Sequence, residues 1–179
     1  MAMTVGSDHD IVTAPDRASR VVLAGIRISV GLLWLTNTRW KTPTDFGENG
    51  GGGLYGFTKD AVDHPVAPPF SYVVEHVVLP NFRLFGWGVL VVEVLLGAFL
   101  LLGLGSRFWG AVGAAQALLI GLSVARTPNE WPWTYVLMIA ANLAIAATAA
   151  GRYYGLDGVL RPEWANRRTH LSRLMMRAT

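Results

Sequence analysis

Residues 82–104 read FRLFGWGVLVVEVLLGAFLLLGL. At ~1.5 Å of rise per residue, a helix of this length crosses a hydrocarbon core of roughly 30 Å. Its only charges are Arg83 at the edge and Glu93 near the middle. Three further apolar stretches, 21–38, 108–125 and 133–150, also qualify as spans, and Arg27 is the one charge inside them. The whole chain agrees with these segments: 179 residues, 52% hydrophobic and 15% charged, with mean hydropathy +0.37. A soluble domain carries about a quarter charged residues. The predicted fold is therefore all-α, an integral membrane four-helix bundle in a lipid bilayer, and the soluble globular class is excluded.

Residues 1–20 form a polar N-terminal tail without the apolar core of a cleavable signal, so 21–38 reads as a retained signal-anchor. Arginine placement sets the orientation. Arg17, Arg20, Arg107, Arg152, Arg161, Arg167, Arg168, Arg173 and Arg177 share one side, against Arg39, Lys41, Lys59 and Arg126 on the other. The positive-inside bias then puts both termini in the cytoplasm of a bacterial-type plasma membrane. Tryptophan and tyrosine near the span ends fit headgroup depth. The sequence pI of 9.6 reflects this regional bias rather than a nucleic-acid surface.

The large outer loop, 39–81, has two parts. Gly47–Gly56 is glycine-rich and reads as a hinge or lid; it lacks the lysine and hydroxyl residue of a phosphate-cradling loop. Over 69–79, Phe70, Val73, Val74, Val77 and Val78 recur at helical spacing, between prolines suited to a start and a stop. That pattern predicts a short interfacial helix over the outer mouth of the bundle. Small residues Gly110, Ala114, Ala117 and Gly121, and Ala140, Ala144 and Ala147, mark the predicted packing faces of the last two spans. A basic tail, 162–179, closes the chain, and 163–176 suits a surface helix against anionic headgroups.

Two intramembrane ionisable residues, Arg27 and Glu93, are the candidate catalytic residues, since a charge at a helix centre costs about 2.5–3.5 kcal/mol on insertion scales. They lie roughly 10 Å and roughly 16 Å from the inner surface at ~1.5 Å per residue. An Arg27–Glu93 pair between the first two helices is expected, acting either as a register lock or in proton handling and ligand binding. Arg27, Gly31, Trp34, Thr38 and Lys41 share one helix face; Gly86, Leu90, Glu93 and Gly97 share another. The glycines leave a notch for a flat ring or for a neighbouring helix. Candidate ligand-binding residues are Trp34, Trp40, Lys41, His76, Gln116 and Asn142, with interhelical bonding the rival role for Gln116 and Asn142. His9 and His170 lie in tails and His64 in a loop.

The chain has no cysteine. It can build no disulfide, thiolate metal site or dithiol relay by itself, and no histidine spacing suggests a metal or haem site.

Three stretches carry a family resemblance: Arg27-Ile-Ser-Val-Gly-Leu-Leu-Trp-Leu-Thr36 with Trp40-Lys41, Glu93 through Gly103-Leu-Gly-Ser-Arg107, and Ala150-Gly-Arg-Tyr-Tyr-Gly-Leu-Asp-Gly-Val-Leu-Arg161. Together they resemble the DoxX/DoxD family over about residues 20–161, which sets the expected membrane domain at 21–161. The resemblance implies a subunit like the small DoxD-type subunit of thiosulfate:quinone oxidoreductase. It would act with a second redox subunit and with quinone as electron acceptor. Thiosulfate would approach from outside, near Arg39, Lys41 and Arg126. The alternative is a non-catalytic membrane scaffold or anchor for a redox or detoxification complex. A transporter is the weaker third reading, as neither an internal repeat nor a continuous polar path is evident.

Overall fold

The computed structural model describes residues 15–167 and 169–179. Most of the expected N-terminal tail, His9 with it, and Arg168 lie outside the described residues. Helices are the only regular structure among those described: α1 (Arg17–Asn37), α2 (Gly53–Asp63), α3 (Pro68–Val73), α4 (Phe82–Leu102), α5 (Ser106–Val124), α6 (Trp133–Thr148), α7 (Leu156–Asn166) and α8 (His170–Ala178). Three helical segments are long and apolar enough to cross a membrane: α1, Pro68–Leu102 and α5. The apolar α6, at 16 residues, is shorter than the expected 133–150 span and ends at Ala149 in a left-handed conformation. Large side chains such as Leu33, Val91, Leu118, Val136 and Leu137 are exposed along these helices. A water-soluble protein does not display apolar surface on this scale; the chain is a multi-pass membrane protein facing lipid.

Close backbone approach holds α1 against α4. A Cβ on Gly31 would lie 3.1 Å from the Gly97 carbonyl oxygen, and one on Gly97 would lie 2.9 Å from that of Gly31. The glycine notch expected for a ring or a helix is, at this crossing, filled by the neighbouring helix. The crossing also separates the two expected pair members. Arg27 lies one turn to one side of the Gly31–Gly97 contact and Glu93 one turn to the other, so antiparallel packing carries them apart. Arg27 Nη1 donates to the carbonyls of Leu100 (2.5 Å) and Leu101 (2.9 Å), and Nη2 to that of Tyr154 (3.2 Å). The Arg27–Glu93 pair is not formed. The last carbonyls of α4 are left short of donors, the Leu100 carbonyl keeping only a 3.2 Å bond from Gly103 N; lipid supplies none, so the guanidinium completes their cap.

A second cap faces the first across the α4–α5 turn. Gly103 (φ 65°) and Gly105 (φ 63°) take the left-handed conformation there. The buried Asp157 carboxylate accepts from Gly105 N (2.7 Å) and Ser106 N (2.9 Å), the free donors opening α5. Gly151 N in turn donates to Ser106 Oγ at 3.0 Å. The chain after α6 thus folds into the packed helices rather than trailing from them. The surface helix expected over 163–176 is two helices instead: α7 ends at Asn166, and α8 opens on a capping box between Thr169 and Ser172.

The α5–α6 seam uses the expected small residues of α5 but a different one of α6, Ala146, which meets Gly110. Gly110, Ala114 and Ala117 are buried, but Ala140, Ala144 and Ala147 are exposed. Asn142 and Ile145 form the buried stripe of α6. Asn142 decides the register: its Oδ1 accepts from Trp34 Nε1 (3.3 Å), its Nδ2 donates to the Met138 carbonyl (2.8 Å), and a Cβ on Gly113 would collide with it. Satisfying that amide outweighs burying alanine methyls.

Three outcomes are expected on thermal unfolding in detergent. Gly97→Val should destabilise the protein by ~1–3 kcal/mol through overpacking. Gly88→Val, on the same helix with nothing within 4 Å of its Cβ position, should be nearly neutral. Asp157→Ala should cost about 1–3 kcal/mol by stripping two donors of their cap.

Candidate functional site

The loop between α1 and α4 is where the sequence reading and the structure differ most. Gly47–Gly56 is a fixed turn rather than a free hinge. Phe46 is 1% exposed, seated against Gly86 and edge-on to the Trp87 ring at 5.7 Å. The Phe46 carbonyl accepts from Tyr55 N (3.0 Å). Gly47 and Gly53 have positive φ, and a Cβ on either would meet backbone closer than ordinary contact. The segment then forms α2. After α3, a π-helical turn (Val74–Val78) and a tight 3-10 turn (Leu79–Asn81) run directly into α4. Pro80 does not stop the helix. It stands at the second position of the 3-10 turn, where its missing N–H is no loss.

Together α2 and α3 cover a cavity of about 620 Å³. Val73, Val74 and Val78 line it, as does Phe70, while Val77 is exposed. The opposite walls are Phe85 and Val89 of α4, Leu119, Ile120 and Val124 of α5, and Tyr135 and Met138 of α6. The cavity is lined by all four apolar helices and the cover, not only by the first two helices.

Its floor is polar. Lys41 Nζ lies 2.6 Å from Glu93 Oε2, with both side chains at most 2% exposed. The same ammonium donates to the Asn37 carbonyl at the end of α1 (3.0 Å) and sits 4.3 Å from the Trp40 ring centroid. Asn37 Nδ2 donates to Glu93 Oε1 (3.3 Å), and Asn37 Oδ1 accepts from Trp40 Nε1 (3.1 Å). Burial pushes the Lys41 ammonium below the usual lysine range, and the Glu93 carboxylate pulls it partly back. Gln116 borders the same space. A second polar pair, Tyr135 OH donating to Glu130 Oε2 at 2.6 Å, stands on the α6 side.

Of the sequence-selected residues, Glu93, Lys41, Trp40 and Gln116 meet at this cavity. Arg27 is at the other end of α1, and Trp34 and Asn142 bond to each other within the helix packing. His76 is exposed, bonded to the Tyr72 carbonyl (3.0 Å) and stacked on the Tyr72 ring. Sequence reasoning did not select Asn37, Glu130 or Tyr135. Asn37 alone left a signal, standing four residues before Lys41. Of the cations expected to draw an anion, Lys41 is engaged by Glu93, Arg126 donates to the Pro65 carbonyl (2.8 Å), and Arg39 is exposed. Among the described residues, no group of three or more His, Asp and Glu is arranged to hold a metal ion.

Removing either partner strands the other charge in an apolar surround. Lys41→Met and Glu93→Leu should each cost ~3–5 kcal/mol, and the double variant should recover most of that loss. A double-mutant cycle by unfolding in detergent measures this coupling.

No curated protein and no solved structure matches the chain. A family model described as TQO small subunit DoxD matches residues 22–176. That span takes in the apolar helices, the cavity floor and the Asp157 cap, and the chain belongs to the DoxD family.

Proposed function

We propose that this protein is the quinone-binding membrane subunit of a thiosulfate:quinone oxidoreductase-type complex, with the cavity above Lys41 and Glu93 as the quinone headgroup site. The observation that carries this reading is a buried ion pair flooring a largely apolar cavity of about 620 Å³. That size lies within the ~300–1,000 Å³ of ordinary ligand pockets, and apolar walls with few polar groups are their usual composition. A benzoquinone ring with an isoprenoid tail is complementary to such a space.

When bound, quinone would supply a carrier for two electrons and two protons. Lys41 has three N–H donors, of which two are engaged by Asn37 and Glu93. The third is available to a ligand carbonyl. Glu93, next to it, holds a proton-accepting oxygen inside the cavity, and the Tyr135–Glu130 pair offers a second proton-bearing group across it. Burial excludes water and strengthens each of these interactions.

Electrons must enter from outside the chain. Two thiosulfates joining into tetrathionate release two electrons, and without cysteine this chain offers no thiol to carry the sulfur. We assign that half-reaction to a second subunit, consistent with the small-subunit description of the family. In the same reading α6 completes a four-helix bundle in a bacterial plasma membrane. The cavity then opens towards the outer face, and the arginine-rich Asp157 end faces the cytoplasm, as the positive-inside bias favours.

The test is a titration of the purified protein with a short-tailed benzoquinone in mild detergent. Saturable binding is expected, weakened about tenfold by Lys41→Met and by Gln116→Leu, the loss of roughly one buried polar contact each. Thiosulfate-dependent quinone reduction should appear only with the copurifying partner. Absence of saturable binding, or binding indifferent to both substitutions, would refute the assignment.

A further inference from the structure

The far end of the packed helices carries a second concavity, unconnected with the quinone reading. A groove of about 540 Å³ runs between the end of α4 and α7. Leu101, Leu102, Leu156 and Val159 form its apolar wall, and Arg152 stands at its polar edge. Leu102 and Val159 are 54% and 67% exposed. Leu102 closes the exposed apolar face of α4, and the groove begins at that end of the helix.

Positive charge gathers at that edge. Arg152 and Arg161 converge on one main-chain oxygen of Thr179, at 2.9 and 2.8 Å. Arg107 donates to the Ala147 carbonyl (3.5 Å), one helical turn before the segment that carries Arg152. The Ala147 carbonyl is neutral and leaves the Arg107 charge uncompensated. The carboxylate of the neighbouring Asp157 is already bonded at both oxygens to Gly105 N and Ser106 N. Arg152 Nε is buried with no hydrogen-bond partner.

We propose that this groove binds an anionic phospholipid, with an acyl chain along Leu101, Leu102 and Val159 and the phosphodiester held by Arg152, with Arg107 and Arg161 nearby. A guanidinium fits a phosphate through paired N–H donors, and basic pockets beside membrane helices bind acidic headgroups in this way. The apolar wall selects a lipid over free phosphate, and the excess positive charge selects an acidic headgroup over a zwitterionic one.

Native mass spectrometry of delipidated protein, given phosphatidylglycerol or phosphatidylcholine, tests the assignment. Retention of phosphatidylglycerol should exceed that of phosphatidylcholine by about tenfold or more, from about 1 kcal/mol per arginine near the headgroup. Arg152→Gln should abolish the preference. Val159→Glu, at an exposed position that leaves the packing intact, should abolish it too by placing a carboxylate in the groove. Millimolar inorganic phosphate should not displace the lipid. Equal retention of the two lipids, a preference that survives both substitutions, or displacement by phosphate would each overturn the proposal.

Discussion

An ammonium and a carboxylate enter an apolar cavity only together, and the Lys41–Glu93 pair is the constraint on which the site depends. Each charge alone would cost several kcal/mol to bury. Joined at 2.6 Å, they fix the end of α1, the first turn of the following loop and the middle of α4 relative to one another. Asn37 tightens this arrangement by giving its backbone oxygen to the lysine and its side-chain amide to the glutamate. The covering helices can then be largely apolar on their cavity face, because the two charges beneath them satisfy each other.

Three of the spans were legible because their signal is simple: length, hydropathy and the near absence of charge. So was the buried face of α1. Arg27, Gly31 and Trp34 are buried as one helical stripe requires, while Thr38 is half-buried and Lys41 lies beyond the end of the helix. The partner of Glu93 was not legible. Axial depth alone favoured Arg27, but depth ignores where two antiparallel helices cross, and the Gly31–Gly97 contact sets that crossing. Lys41 was visible as a residue on the right face, but its position at the rim gave no sign that the loop would fold it inward. The alanine stripe of α6 misled for a related reason: small residues permit close approach without requiring it, whereas a buried amide such as Asn142 must find partners.

The cover was read half correctly. The spacing of Phe70, Val73, Val74 and Val78 located the face that meets the cavity. The glycine run suggested mobility because glycine widens the choice of backbone conformation. Here that freedom serves a fixed turn around Phe46, and only the side-chain packing against Gly86 and Trp87 reveals it.

At the opposite end, the α4–α5 turn draws its caps from distant parts of the chain. Arg27 comes from the first helix, and Asp157 follows the last apolar one. During synthesis the arginine is present before the turn exists, but the aspartate leaves the ribosome only after all the apolar helices have been made. Until then the opening amides of α5 lack their final acceptor. The α4–α5 turn therefore gains its full set of caps only once the segment around residue 157 has been made.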